Sequence, residues 1–168
     1  MVEERVTRAP VEFVTAERLT ALSRRARGQA RGRTNQNFHA PEDGYQRMLN
    51  AIQPGSYVRP HRHVAPGKSE TFVVLTGEIG FFWFDDDGRL LGARRIGSDQ
   101  ETRAVDLQPG VWHCFLALAP DTVVFEGKNG PYDAATDKQF PAWAPPEGDP
   151  AAPDYARTLL RVLAAARP

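Results

Sequence analysis

The sequence contains a single cysteine, Cys114, and no long apolar segment. One cysteine excludes an intrachain disulfide, and the apolar runs are far shorter than the ~20 residues that a membrane-spanning helix requires. Residues 1–8 are polar and charged, without the apolar core of a secretory signal. We therefore expect a cytoplasmic protein that does not enter a membrane.

The chain also lacks a surplus of charge of either sign and the motifs of several large enzyme classes. Lys plus Arg and Asp plus Glu both number 21, so the formal net charge of zero provides no general attraction to nucleic acid or to an anionic membrane. A P-loop, a GxGxxG fingerprint, a GxSxG motif and internal repeats are absent from the sequence, so nucleotide-hydrolysing, dinucleotide-dependent and serine-hydrolase chemistry have no support. We expect a small-molecule ligand and no nucleic-acid partner.

What the sequence does contain is a succession of short apolar runs between turns rich in Gly, Pro and Asp. The predicted strands are Gln46–Ile52, Tyr57–His63, Thr71–Leu75, Ile79–Phe84, Arg89–Ile96, Thr102–Leu107, Val111–Leu118 and Thr122–Glu126. Many short strands joined by such turns are typical of an all-β sandwich or barrel. The length of 168 residues fits one domain.

Helices are predicted at both ends of the chain. Thr15 is a suitable N-cap for a short helix with Leu22 and Ala26 on its apolar stripe. A second amphipathic helix is predicted for residues 154–166. It follows a Pro-rich stretch, residues 131–153, that either lies over the domain as an extended tail or stays loose.

Three of the four histidines stand in metal-ligand spacing with a carboxylate. His61 and His63 would point to the same face of a strand, because successive side chains alternate between faces. Glu70 follows a segment with Pro and Gly, which predicts a turn that places the carboxylate opposite the histidine pair. His113 follows Pro109-Gly110 and opens a buried strand. We expect one compact sheet to bring both groups together.

Three neutral imidazoles and one carboxylate suit transition metals from Mn to Zn, and ligand type does not select among them. Four protein ligands leave positions open on a six-coordinate metal, so chemistry is possible there. We therefore predict one divalent transition metal (Fe, Mn, Zn, Ni or Co) as cofactor, with His61, His63, Glu70 and His113 as its ligands. The alternative is that these histidines pack in the core or face solvent. Cys114 would point away from His113 and pack in the core.

Between Gly55 and His113 the residues follow the patterns Gly55-x5-His61-x-His63 … Glu70-x6-Gly77 and Pro109-Gly110-x2-His113. These patterns resemble the two motifs of the cupin superfamily. The resemblance implies a single cupin jelly-roll β-barrel or sandwich with short flanking helices at both termini. Residues 45–130 would form the barrel. Residues 1–44 would form a helix and an extended segment packed on it, and residues 131–168 a Pro-rich tail and a helix.

Further matches cover roughly residues 30–147. Residues 33–39 (RTNQNFH), 46–50 (QRMLN), 130–132 (GPY) and 143–145 (WAP) resemble the WbuC family of cupin-fold metalloproteins. Members of that family are often associated with bacterial O-antigen and surface-polysaccharide gene clusters. The resemblance implies a sugar or nucleotide-sugar ligand without giving a reaction.

In the segment 31–39, five polar residues alternate with the others and have the same parity: Arg31, Arg33, Asn35, Asn37 and His39. If this segment is extended, they share one face, on which arginine forks suit phosphate oxygens and asparagine amides suit hydroxyls. The alternative is a solvent-facing edge strand or an irregular loop. The predicted substrate-binding residues are Arg33, Asn35, Asn37, Arg47 and Lys128, and the predicted proton-transfer residues are His39, Tyr57 and Tyr132.

Three functions remain open at this point. An enzyme would use the metal for isomerase, epimerase, lyase or dioxygenase chemistry on a sugar or nucleotide-sugar in surface-polysaccharide metabolism. A binding or regulatory module would capture a sugar-like ligand without turnover. In a structural cupin the metal would only stabilise the folded barrel. An exposed sheet edge also makes a homodimer reasonable.

Overall fold

The computed structural model describes residues 9–64 and 67–165, which form eight strands between two helices. The helices are α1 (Ala16–Arg27) and α2 (Ala152–Ala165). The strands are β1 (Arg33–Asn37), β2 (Tyr45–Ile52), β3 (Glu70–Thr76), β4 (Glu78–Phe84), β5 (Leu90–Gly97), β6 (Ala104–Leu107), β7 (Trp112–Ala117) and β8 (Thr122–Asn129).

The strands form two antiparallel sheets that share one core. One sheet has the order β1-β2-β8-β3-β6, and the other has the order β5-β4-β7. Buried side chains of both sheets meet in a single cluster, which includes Phe72 and Val124 of the first sheet and Phe81 and Phe115 of the second. Removal of this apolar surface from water stabilises the contact between the sheets. The predicted all-β class with short flanking helices is confirmed.

The N-terminal helix α1 covers the outer face of the five-stranded sheet. Its N-cap is Thr15, as predicted, and the Thr15 hydroxyl accepts a hydrogen bond from the backbone N–H of Arg18 at 3.2 Å. Leu22 and Ala26 are buried against Leu49 of β2 and neighbouring residues. The predicted apolar stripe is therefore the contact face of the helix.

The C-terminal helix α2 covers the outer face of the three-stranded sheet. Its buried Leu159 and Leu163 pack with Cys114 of β7, so the cysteine is a core residue as predicted. The helix starts two residues before the predicted position 154, and residue 166 lies outside the described residues. Neither helix has the length and apolarity needed to cross a membrane.

Seven of the eight predicted strands are confirmed, and one is wrong. The segment Tyr57–His63 is irregular except for two single bridges, which pair His61 with His113 and Arg62 with the C-terminal tail. Pro60 has no backbone N–H to donate, and the two bridges lead to different partners, so a continuous ladder does not form. The turn predicted before Glu70 includes residues 65–66, which lie outside the described residues.

The Pro-rich tail lies over the domain and is not loose, so the first of the two arrangements expected from the sequence is the one observed. The guanidinium group of Arg59 donates to the carbonyl oxygens of Pro141 at 2.6 Å and Ala144 at 3.2 Å. Trp143 Nε1 donates to the carbonyl oxygen of Asp86, in the turn between β4 and β5, at 3.1 Å. These bonds hold the tail across the same side of the molecule as the irregular segment before His61.

The turn between β3 and β4 provides a test of the packing. Gly77 has a φ of +78°, and a Cβ atom there would lie 2.4 Å from Oγ1 and 2.8 Å from Cα of Thr122. We expect Gly77→Ala to lower the free energy of unfolding by about 2–4 kcal/mol, because a left-handed backbone and an overpacked contact each add a cost. Urea denaturation of the purified variant measures the change.

Gly55→Ala is the matched control for this prediction. Gly55 also has a positive φ, +87°, but apart from its chain neighbours no atom of residues 9–64 and 67–165 lies within 4 Å of the Cβ position. This variant should carry only the backbone cost of about 1–2 kcal/mol. Equal losses in the two variants would contradict the contact between Gly77 and Thr122.

Candidate metal centre

The predicted metal ligands lie between the two sheets. Glu70 is the first residue of β3 in the five-stranded sheet, and His113 is the second residue of β7 in the three-stranded sheet. The expectation that one sheet carries both motifs is therefore wrong, because the site joins the two sheets. His61 and His113 exchange two backbone hydrogen bonds of 2.9 Å, and this bridge attaches the irregular segment to β7.

The four side chains converge, and each is at most 3% exposed. Ligand atoms of His61, His63 and Glu70 lie within 4.8 Å of one another. His63 Nε2 is 3.2 Å from one carboxylate oxygen of Glu70, and His113 Nε2 is 3.1 Å from the other. The structure thus brings together all four residues predicted to be ligands.

Backbone carbonyl groups orient the three imidazole rings. The Nδ1 atoms of His61 and His113 lie 3.0 Å from the carbonyl oxygens of Arg59 and Val111, and His63 Nδ1 contacts the carbonyl oxygen of Asp137. A carbonyl oxygen can only accept, so each Nδ1 of a neutral ring carries the hydrogen and each Nε2 presents a lone pair. This arrangement is the one by which proteins fix metal-bound histidines.

The donor atoms fit a divalent metal ion. His63 Nε2 and His113 Nε2 are buried and have no hydrogen-bond partner among the described residues. In this tautomer their lone pairs face the carboxylate of Glu70 at 3.1–3.2 Å, which is repulsive unless a proton or a cation lies between them. A nitrogen atom and an oxygen atom that are both bound to one ion at about 2.1 Å would lie about this far from each other.

The electrostatics of the site favour the protonation states that a metal requires. Burial, together with the positive charge of Lys138, lowers the pKa of His61 well below its usual value, so this ring is neutral near pH 7. Burial raises the pKa of Glu70, but hydrogen bonds from His113 and His63, which these rings donate only when Nε2 carries a proton, outweigh burial and hold the pKa well below the usual range. A metal ion in place of those protons would likewise keep the carboxylate ionised. Neutral imidazole and ionised carboxylate are the ligand forms.

A second carboxylate, Glu126 of β8, lies beside Glu70. Asn50 Nδ2 donates to Glu126 Oε2 at 2.7 Å. Burial, followed by the charge of Glu70, raises the pKa of Glu126 to about 7. A carboxyl group that titrates near neutral pH can take or give a proton at a neighbouring ligand. The sequence reasoning missed Glu126, although its parity with Lys128 on β8 was an available signal.

Two adjoining cavities lie over the centre and share Arg33, Asn35 and Glu126 among their lining residues. The inner cavity has a volume of 130 Å³ and is lined by His61. The outer cavity has a volume of 820 Å³ and is mostly polar. This volume is sufficient for a small organic ligand.

Six of the eight residues predicted to bind or transform substrate line the outer cavity. The strand β1 and the residues after it present one polar face to it, as their common parity predicts. The predicted residues at the cavity are Arg33, Asn35, Asn37, His39, Lys128 and Tyr132. His39 is held there by the backbone N–H of Arg47, which lies 2.8 Å from His39 Nδ1.

Two predicted residues, Tyr57 and Arg47, do not line either cavity. The Tyr57 hydroxyl donates to the carbonyl oxygen of Pro145 at 3.0 Å, because the irregular segment turns this side chain toward the tail. Arg47 donates to the carbonyl oxygen of Phe38 at 3.1 Å. Both side chains are used in local packing, which the linear sequence did not reveal.

A buried charge cluster holds the tail against the centre. Asp137 accepts hydrogen bonds of 2.9 Å from Lys68 and from Lys128, one at each carboxylate oxygen. All three side chains are at most 5% exposed. Because the carbonyl oxygen of Asp137 also contacts His63 Nδ1, this cluster determines where one imidazole ring points.

Comparison with known families matches residues 14–96 to a domain of unknown function, DUF6016, which is just under half of the chain. No curated protein matches the sequence. The structure is similar to the crystal structure of CapF with the inhibitor 3-isopropenyl-tropolone, with a TM-score of 0.55 and 23% identity, over 64% of this chain and 31% of that chain.

The structure is also similar to the capsular polysaccharide assembling protein CapF from Staphylococcus aureus. The TM-score is 0.54 and the identity is 22%, over 64% of this chain and 29% of that chain. The present chain therefore spans less than a third of the length of these CapF chains. These similarities concern the fold, which is a cupin jelly roll.

Asp137→Asn tests the charge cluster. The change leaves buried Lys68 without an ionised partner and leaves buried Lys128 only Glu126, at 3.8 Å, so we expect a loss of about 3 kcal/mol in the free energy of unfolding. Glu78→Gln is the control, because Glu78 pairs at 2.9 Å with Arg95, which is half exposed, and such pairs contribute about 0–1 kcal/mol. Urea denaturation compares the two variants, and similar small losses would contradict the role of the cluster.

Proposed function

We propose that this chain binds one divalent transition metal through His61, His63, Glu70 and His113, and that it is an enzyme. The observation that carries the proposal is the pair of buried imidazole Nε2 atoms, on His63 and His113, that face one carboxylate without a hydrogen-bond partner among the described residues. A bound metal ion would relieve this repulsion. The metal identity stays open among Fe, Mn, Zn, Ni and Co, since the donor types do not select one.

The substrate that we propose is a sugar or nucleotide-sugar in surface-polysaccharide metabolism. Two likenesses support it. The sequence resembles the WbuC family, whose members are associated with such gene clusters, and the fold is similar to a protein named for capsular polysaccharide assembly. The polar face of β1, with Arg33, Asn35 and Asn37, supplies donors for hydroxyl or phosphate oxygens at the outer cavity.

When bound, the metal would supply a Lewis acid for an oxygen atom of the ligand. Glu126 is placed to move a proton, because it lines both cavities and its pKa is raised to about 7 by burial and by the charge of Glu70. His39 and Tyr132 are further candidates at the outer cavity. Proton transfer favours an isomerase, epimerase or lyase over dioxygenation and over a binding module without turnover. The cytoplasmic location, the homodimer and the division at residues 45 and 130 stay predictions.

Elemental analysis of protein purified without added metal tests the metal site. We expect about one transition-metal ion per wild-type chain, and none in the double variant His61→Ala/His63→Ala. Removal of the ion with a chelator should lower the free energy of unfolding of the wild type by about 3 kcal/mol when free metal had been at 100 times its Kd. His39→Ala is the control, because His39 is the one histidine outside the proposed ligand set.

The metal-site assignment would be wrong if the double variant retained metal. It would also be wrong if the wild type held no stoichiometric metal even after reconstitution. Loss of metal in His39→Ala to the same extent would show that the loss is not specific to the ligand set. The proposal requires that the wild type and His39→Ala both bind metal and that the double variant does not.

The proton-transfer role of Glu126 can be tested without knowing the substrate. Nucleotide-sugars of the uridine, thymidine and guanosine diphosphate classes are incubated with the protein in D₂O, and NMR follows the replacement of carbon-bound hydrogen by deuterium. We expect Glu126→Gln to slow exchange about 100-fold or more while the bound metal is retained. Glu78→Gln should not change the rate, because Glu78 lines neither cavity. Exchange at the wild-type rate in Glu126→Gln would contradict the assignment, and tight binding with no exchange of any sugar would favour the binding module.

A further inference from the structure

Two of the three carboxylates in the wall of the outer cavity, Glu147 and Asp137, are each shared by two cations. Glu147 accepts from Arg33 at 2.5 Å and from Arg31 at 3.3 Å, through the same oxygen. Asp137 is shared by Lys68 and Lys128 in the buried cluster described above. One carboxylate neutralises only one cation, so the Glu147 group leaves a surplus positive charge at the cavity. In the other group Lys128 also lies 3.8 Å from Glu126.

Two further cations of the cavity wall have no carboxylate partner among the described residues. The guanidinium group of Arg59 donates to two backbone carbonyl oxygens and lies over the ring of Phe140, 5.1 Å from its centroid. Carbonyl groups and an aromatic face do not neutralise its charge. Lys138 has no hydrogen-bond or ion-pair partner in the described part of the chain, and it lines both cavities.

The backbone holds Lys138 in place from both sides. Its neighbour Asp137 is fixed by the two buried lysines, and Gln139 pairs with Arg62 through two backbone hydrogen bonds of 2.9 and 3.1 Å. The positive charge of Lys138 is close enough to the centre to act on His61 and Glu126, where burial is the larger influence. An exposed lysine with a fixed backbone and no partner at a cavity is suited to bind an anion.

The charge at the cavity is unlike that of the whole molecule. Among the described residues, five cations line this cavity, and they face three carboxylates, Glu126, Asp137 and Glu147. The formal net charge of the complete chain is zero. A concave surface with a surplus of one sign of charge concentrates ligands of the opposite sign. A neutral ligand would gain nothing from this surplus.

We propose that the outer cavity is an anion subsite in which Lys138 and Arg59 bind a phosphate or carboxylate group of the ligand. The inference rests on the proposed function, because it takes this cavity as the binding site of the molecule that reaches the metal centre. It narrows the substrate class to acidic sugars or phosphorylated sugars and excludes neutral sugars. Lys138 approaches the ligand from the tail, and Arg59 approaches from the segment before His61.

Calorimetric titration of the full chain tests the subsite with three probes: pyrophosphate, galacturonate and galactose. We expect at least one of the two anions to bind more tightly than neutral galactose, with an affinity that falls as salt is added. Lys138→Gln removes one charge-assisted contact and should lower the association constant of that anion about tenfold. Arg161→Gln, an exposed cation on α2 away from the cavity, should leave it unchanged.

Four results would overturn the subsite: neither anion binds, galactose binds as tightly as both anions, Lys138→Gln binds like the wild type, or Arg161→Gln weakens binding as much as Lys138→Gln. The same titrations after metal removal separate this inference from the proposed function. If the chain proves to bind no metal but still binds the anion through Lys138, the subsite is supported and the proposed metal-dependent enzyme is contradicted. If the chain retains metal but binds no anion, the subsite is contradicted and the proposed metal site is not.

Discussion

The centre depends on one constraint, which is that an imidazole nitrogen bonded to a carbonyl oxygen must carry the hydrogen. The carbonyl groups that impose it belong to Arg59, Val111 and Asp137, on three separate segments of the chain. Each ring is thereby forced to present a lone pair toward Glu70 or its surroundings. These lone pairs converge only when the irregular segment, β7 and the tail are all in place. The affinity of the proposed metal site should therefore depend on complete folding.

The position of the tail follows from the same constraint. If the tail were held by apolar contacts alone, it could shift along the surface with little change in free energy. The Asp137 carboxylate, bonded to Lys68 and to Lys128 in separate directions, fixes its position and places the adjacent carbonyl group at His63. A buried ion cluster of this kind contributes little net stability relative to apolar packing, so we attribute its presence to the position that it specifies.

The parts of the site that sequence could predict are those that depend on local periodicity. Alternation placed Asn35 and Asn37 on one face and separated His113 from Cys114, because a strand has a period of two residues whatever it packs against. Motif spacing identified the four converging residues for a similar reason. Tyr57 shows where the period fails, since its segment forms no continuous ladder and its hydroxyl bonds to Pro145.

The tail shows the other limit, because its residues act through partners far away in the sequence. Asp137 bonds to Lys68, 69 positions earlier, and nothing in the composition of a Pro-rich stretch indicates that contact. Glu126 is intermediate: its strand was predicted, but the proximity of Glu70 depends on the pairing of β3 with β8, in which Glu70 lies opposite Lys128. Since both carboxylates then lie at one buried site, their mutual repulsion has to be relieved by cations. The metal proposed at the base of the cavity would supply such a cation, and the lysines and arginines in surplus around the cavity would then be available to an anionic ligand.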